Sequence, residues 1–334
     1  MIRHCTARRA VLGLIVVCVT GACSSKAQTD PMLDDTLVNG EASGPEQDFA
    51  VYVDDKCTGA LIAPNLVLTA AHCLSMRSTV FQCDANPTGH RELQQDKYQR
   101  ARTVRAGAHA YRAGLETASF EVEETWLPPL AVSTSANLCE RDMALLLLKE
   151  DAVYPGGSAV PFVPIDWTET GPEEDLVLVG FGLQYNAAGV LQGEGTRNDA
   201  RPRQWGTKRF RHLFAGGIDR RTLSADDWAK STIGVSDLLS EGALGTPGDS
   251  GAPLLRRTDA GFALVGVHSR PFGDQDLRFA PAAWRHLINV RPPVVIKDVR
   301  TGSRVIGGTS SSVLSLRTWL ESKIADARAR RHGF

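Results

Sequence analysis

The sequence predicts an all-β protein that ends in an amphipathic helix. Short apolar runs recur along the chain, each bounded by turn residues, as in the strands of a sandwich or barrel. The 31 glycines and 17 prolines are dispersed rather than run together, which suits a turn-rich sheet protein and not a disordered one. Near the C-terminus the pattern changes: Leu316, Trp319, Leu320 and Ile324 fall at helical spacing within residues 313–327. Periodicity alone leaves sandwich and barrel both open. With 334 residues, 43% of them hydrophobic, the chain can bury a large core as one domain or two packed halves. A net charge of -1 gives no reason to expect a nucleic acid or a strongly acidic partner.

The first 22 residues read as a targeting segment. Arg3, Arg8 and Arg9 precede an apolar run from Ala10 to Val19. That run is shorter than the ~20 residues of a membrane span and reads as a signal peptide. Small residues immediately before Cys23 resemble a bacterial lipoprotein processing site, where the cysteine becomes the first mature residue and carries lipid. The alternative is an ordinary secretory signal cleaved near Ala22, with Cys23 a spare thiol. Arg8-Arg9 is a poor match to twin-arginine export, given the Ala-Val-Leu that follows. Residues 23–36, with Asp30-Pro31 and Asp34-Asp35, form a polar, acidic tether or propeptide. Export implies an oxidising compartment in which disulfides persist.

From Leu37 the strand pattern begins. Phe49–Val53, Gly59–Ile62 and Leu66–Thr69 are strand-like, with Ala63-Pro64-Asn65 as a turn. Leu145–Lys149, Leu176–Gly182 and Phe262–Val267 read as buried strands. Two stretches look like insertions: the 70 residues between His72 and Asp142, and Pro271 to about Arg304, which carries a short helix over Ala282–Leu287. The basic run Arg201, Arg203, Lys208, Arg209 and Arg211 reads as one solvated face of a strand. His90, His109, His212 and His286 read as ordinary core or surface residues. No internal repeat, phosphate loop or metal-ligand cluster stands out, and neither a metal nor a cofactor is expected.

Three fragments carry chemistry. Leu68-Thr69-Ala70-Ala71-His72-Cys73 comes first, Arg141-Asp142-Met143-Ala144-Leu145 second and Gly248-Asp249-Ser250-Gly251 last. A serine hydroxyl is a poor nucleophile at neutral pH unless a neutral imidazole takes its proton. A carboxylate on the far side of that imidazole holds its tautomer. The order His, Asp, Ser is that of the chymotrypsin-type β-barrel proteases. From about Leu37 to the C-terminal helix the chain resembles the trypsin/chymotrypsin-like serine proteases, as an exported bacterial member.

The resemblance implies two packed antiparallel six-stranded barrels with a C-terminal helix: barrel 1 about 37–165, barrel 2 about 166–312, the helix about 313–327 packed on the second barrel, and a disordered tail at 328–334. His72 would be the base, Asp142 its orienting acid and Ser250 the nucleophile, in the cleft between the barrels. The backbone N–H groups of Gly248 and Ser250 would form the oxyanion hole, each donor worth about 3 kcal/mol. Of seven cysteines, Cys5 and Cys18 leave with the signal and Cys23 takes lipid. The remaining four allow three pairings. The resemblance selects Cys57–Cys73, which leaves Cys83 with Cys139.

Leu37-Val38-Asn39-Gly40 is similar to the mature N-terminus of that family, whose new ammonium pairs with the Asp before the nucleophile, here Asp249. Thr36 stands where a trypsin-activated zymogen carries Arg or Lys, so the activating cleavage needs another protease or self-cleavage. The primary specificity pocket would have Leu244 at its floor, with Ser269 and Pro271 on its wall. Thr246 replaces one cysteine of the family's pocket disulfide. These residues imply a preference for apolar or small residues before the scissile bond.

The reading is an exported serine endopeptidase acting on proteins or peptides. It is expected to be a monomer, anchored by lipid at the periplasmic face or cell surface and released on processing. The alternative is a non-catalytic protein of the same fold that binds peptides or partner proteins. An α/β-hydrolase esterase is disfavoured, because that class needs Gly-x-Ser-x-Gly with its histidine last in the chain.

Overall fold

The computed structural model describes residues 40–74, 101–108, 110, 117–128, 142–170, 174–182, 203–212, 233–237, 245–246, 248–273 and 305–332. The strands among them are β1 (Glu41–Ala42), β2 (Ala50–Val53), β3 (Cys57–Ala63), β4 (Leu66–Thr69), β5 (Thr103–Ala106), β6 (Ala118–Trp126), β7 (Ala144–Leu148), β8 (Glu174–Gly180), β9 (Gln204–His212), β10 (Ile233–Asp237), β11 (Pro253–Thr258), β12 (Gly261–Gly273) and β13 (Val305–Ser312). A 3-10 turn over Val313–Leu316 leads into helix α1 (Arg317–His332).

Strands β2, β3, β4, β7, β6 and β5 close into a barrel, β5 pairing back to β2. Strands β9, β10, β13, β12, β11 and β8 follow one another in a second sheet, and β8 also pairs with β9, so these six form a ring with β1 on its outside. All of these ladders are antiparallel. The expected chymotrypsin-like all-β fold is therefore present. The continuous apolar runs explain the first barrel: every residue of β2, β3, β4 and β7 is buried. One apolar core runs from Val51, Leu68 and Leu146 of this barrel to Val177, Leu255 and Val267 of the second.

Several elements differ from expectation. The interval between His72 and Asp142 is not mere insertion, because it supplies β5 and β6. Strand β12 runs six residues beyond Val267, to Gly273. Helix α1 continues to His332, so residues 328–332 are its last turn rather than a tail. It also reaches the first barrel. Lys323 and Arg330 lie over the Trp126 ring, 4.9 and 5.4 Å from its centre, and Arg330 bonds Glu124 at 2.6 Å. Arg331 pairs with Asp151. These cationic contacts hold the final turn, while Leu316, Leu320 and Ala327 enter the core. The helix expected over Ala282–Leu287 and the Cys83–Cys139 pair lie outside the described residues.

The basic run also needs correction at Arg203, which is 1% exposed. Its Nε donates to the Ser43 hydroxyl at 2.7 Å, Nη1 to the Ala50 carbonyl at 3.3 Å, and Nη2 to the Gly44 carbonyl at 2.7 Å and Asp48 Oδ1 at 2.5 Å. The other Asp48 oxygen accepts from the Tyr154 hydroxyl. Burial pushes the Arg203 value down from the usual guanidinium range, and Asp48 opposes that shift. A buried cation is tolerated only where acceptors surround it, and here the N-terminal segment 43–50 supplies them. Arg203→Leu leaves the Asp48 carboxylate without its cation, with only the Tyr154 hydroxyl still donating to it, and equilibrium urea unfolding should show a loss of about 3 kcal/mol. Adding Asp48→Asn should recover part of it.

Candidate active site

The antiparallel register places the first two candidate residues side by side. Thr69 of β4 pairs with Ala144 of β7. Following both chains past that pair, the residues after Thr69 run alongside those before Ala144. His72 lies on the 3-10 turn Ala71–Leu74 that follows β4, and Asp142 lies two residues before β7. Seventy residues of sequence separation thus collapse to hydrogen-bond distance. The Asp142 Oδ2 atom is 2.7 Å from His72 Nδ1, and Oδ1 accepts from the His72 backbone N–H at 2.9 Å. The Cys57–Cys73 disulfide ties this turn to β3, as expected.

Asp142 is fully buried. Burial would raise its carboxyl, but the neighbouring His72, its two hydrogen bonds and the Ser269 hydroxyl outweigh that and hold it below the usual carboxylate range. The Ser269 Oγ–H donates to Asp142 Oδ2 at 2.5 Å. An ionised carboxylate only accepts, so the His72 proton sits on Nδ1, and the lone pair of a neutral ring is left on Nε2.

The same register logic operates in the second barrel. Pro253 of β11 pairs with Val267 of β12, and beyond that pair the Gly251 N–H donates to the His268 carbonyl at 2.8 Å. Ser250 is thereby carried to Ser269, and its Oγ lies 3.4 Å from the Ser269 carbonyl oxygen. Ser269 therefore touches both ends of the constellation: its hydroxyl meets Asp142 and its carbonyl meets Ser250. This gives it a place beside the three candidate residues, not only on the pocket wall expected for it. The turn carrying Ser250 presses against the first barrel. A Cβ at Gly251, whose φ is +85°, would sit 2.1 Å from the Thr58 carbonyl oxygen, so no other residue fits there.

Asp249 is also fully buried. Its Oδ1 accepts from the Gly182 N–H at 2.8 Å, and its Oδ2 accepts from the Thr246 N–H at 2.8 Å and the Thr246 hydroxyl at 3.1 Å. Sequence reasoning treated Thr246 only as a missing cysteine; a hydroxyl residue three positions before an acid was the available signal. His268 is 1% exposed on β12, and its ring packs on Gly245. Leu37, Leu244, Cys23, Cys83 and Cys139 lie outside the described residues, and Pro271 is described by its backbone in β12 alone.

Two strand rings, with an acid–imidazole pair at the rim of one and a serine in a tight turn of the other, define a protein of the chymotrypsin-like class. The pattern of the family described as Trypsin matches residues 38–282, and the chain belongs to that family. No curated protein matches it by sequence.

The buried carboxylate has a measurable signature. Its value in the folded state lies below that of the unfolded chain, so the unfolded chain takes up the proton first as pH falls. The stabilisation is complete above about pH 4 and drains away as acid titrates the folded site. Urea unfolding from pH 2 to 7 should show this acid limb in the parent and a flatter one in Asp142→Asn.

Proposed function

We propose that the protein is an exported serine endopeptidase that cleaves peptide bonds through Ser250, His72 and Asp142. The observation that carries this reading is the hydrogen-bonded run from His72 through Asp142 and Ser269 to Ser250. In the proposed cycle the Ser250 Oγ bonds to the substrate carbonyl carbon as His72 Nε2 takes the hydroxyl proton. Asp142 stabilises the imidazolium and stays ionised, in keeping with its lowered value. The carbonyl oxygen gains negative charge, faced by the N–H groups of Gly248 and Ser250. Collapse breaks the C–N bond, and His72 returns the proton to the leaving amine. Water then attacks the acyl-enzyme by the same route, releasing the acid and restoring Ser250.

Cleavage before Leu37 is the proposed activating step, with the new ammonium entering beside Asp249. Burial of that carboxylate supports the reading, since a second charge there would be strongly held. Cys23 would carry lipid, and because the cysteines expected to pair all lie beyond Leu37, the same cut would release the enzyme from its bacterial membrane. A disulfide within a trypsin-type domain fits an oxidising location, periplasm or outside the cell. The proposed enzyme works as a monomer. Its pocket, built from Leu244, Ser269 and Pro271, takes apolar or small residues.

Protein processed at Leu37 should hydrolyse casein and take a fluorophosphonate label, and Ser250→Ala should lose both. Asp142→Asn should lower kcat on the order of 10⁴-fold at neutral pH. Labelled protein in which Ser250→Ala changes nothing would remove the reading. N-terminal sequencing of active enzyme should begin at Leu37; a full-length lipidated form of equal activity contradicts the activation step. A peptide library should return apolar or small residues before the cut, and strict Arg or Lys cleavage contradicts the pocket assignment.

A further inference from the structure

One side chain of the first barrel reaches across to the turn that bears Ser250. Thr58 lies on β3 and is fully buried. Its backbone N–H donates to the Ser250 carbonyl at 2.9 Å. Its hydroxyl donates to the Gly248 carbonyl at 3.0 Å and accepts from the Phe181 N–H at 3.1 Å. Its own carbonyl accepts from the Thr69 hydroxyl at 2.7 Å. A hydroxyl has one proton, so the Phe181 N–H and the Gly248 carbonyl together fix which way it points. The run from Phe181 to Thr58 to Gly248 is a directed relay, each bond polarising the next.

The carbonyls held by Thr58 belong to Gly248 and Ser250, the same two residues whose N–H groups are assigned to the developing oxyanion. Gly248 has φ +108° and no side chain, so nothing of its own holds the turn. The peptide unit after it is planar, and it is bonded on both sides: the Thr58 hydroxyl donates to its oxygen, and the Thr246 carbonyl accepts from its Asp249 N–H at 2.9 Å. With that plane pinned, the Gly248 N–H can swing only about the two dihedrals of Gly248 itself.

We propose that the Thr58 hydroxyl is a positioning group for the oxyanion-binding amides, setting the aim of the Gly248 N–H from the opposite barrel. This rests on the catalytic reading above. Thr58 touches no substrate; it acts through the backbone of the turn. Its loss should therefore weaken binding of the charged tetrahedral state more than binding of the substrate.

The test compares Thr58→Val, which keeps the branched shape without the hydroxyl, with Thr58→Ser, which keeps the hydroxyl. Both are made in the full chain and processed like the parent. Thr58→Val should lower kcat about 10- to 100-fold while KM stays within about twofold. Affinity for a peptide aldehyde, which forms a charged tetrahedral adduct, should fall by a similar factor, and Thr58→Ser should restore most of both. Should Thr58→Val not fold, Thr58→Ala makes the same comparison. Folded Thr58→Val or Thr58→Ala with parental kcat, or with KM raised and kcat unchanged, overturns the proposal. Ser250→Ala separates the two levels. If it is inactive while Thr58→Val keeps parental kcat, only the positioning role falls; if it is fully active, the catalytic reading falls and the positioning role with it.

Discussion

A carboxylate with no exposed surface sits where the two barrels meet, and much of the site is arranged around it. Burying the charge of Asp142 without partners would cost several kcal/mol. The fold supplies three donors: the backbone N–H of His72, its ring Nδ1 and the Ser269 hydroxyl. Each donor comes with a consequence. The first fixes the turn after β4, the second fixes the tautomer of the imidazole, and the third draws β12 of the other barrel to the same point. The geometry that the proposed chemistry requires is also the geometry that satisfies a buried charge. Stability and the orientation of His72 therefore cannot be separated at this residue.

The architecture explains why such a point exists. In each barrel the candidate site residues lie just past the end of an antiparallel pair, Thr69 with Ala144 in one and Pro253 with Val267 in the other. Within the ladder the backbone groups pair with one another, and the side chains enter the core. Past its end the chains are still close, but the groups are free to face the neighbouring barrel. Asp142 uses this freedom to reach Ser269; Thr58, still paired with Tyr52 of β2 but one residue past the Gly59–Thr69 pair of β3 and β4, reaches Gly248 and Ser250 from its open side. Rigid strands hold the site, while the turns that carry it keep the conformations that only turns allow.

Much of this was legible in the chain, for physical reasons that also mark the gaps. Strands β3, β4 and β7 are buried throughout, so their runs of apolar residues announce them. The His, Asp and Ser fragments are short and local, and their order is visible without a structure. Strand β5 has four residues, and β6 interleaves Glu121, Glu123 and Glu124 with Ala118, Val122 and Trp126, because one of its faces meets solvent. Strand β13, Val-Ile-Gly-Gly-Thr-Ser-Ser-Ser, has almost no apolar pattern; its neighbours β10 and β12 make it a strand. Arg203 and Thr58 were hidden differently. Their partners Asp48 and Gly248 stand 155 and 190 residues away, so no local window marks the first as buried or the second as more than a branched strand residue.

The Arg203 cluster gives the activation reading a spatial footing. Arg203 gathers Ser43, Gly44, Asp48 and Ala50, so the segment that follows the proposed cut is anchored independently of its free end. Ala42 of β1 pairs with Gln204 of β9, and Gln204 pairs with Gly180 of β8. Two strand spacings, about 10 Å, therefore separate Ala42 from Gly180. The glycine two residues further on, Gly182, gives its N–H to Asp249. Five residues lie between the proposed cut and Ala42, and an extended chain of that length spans up to about 17 Å. A terminus freed at Leu37 thus has the reach to arrive at Asp249 while the anchor stays in place.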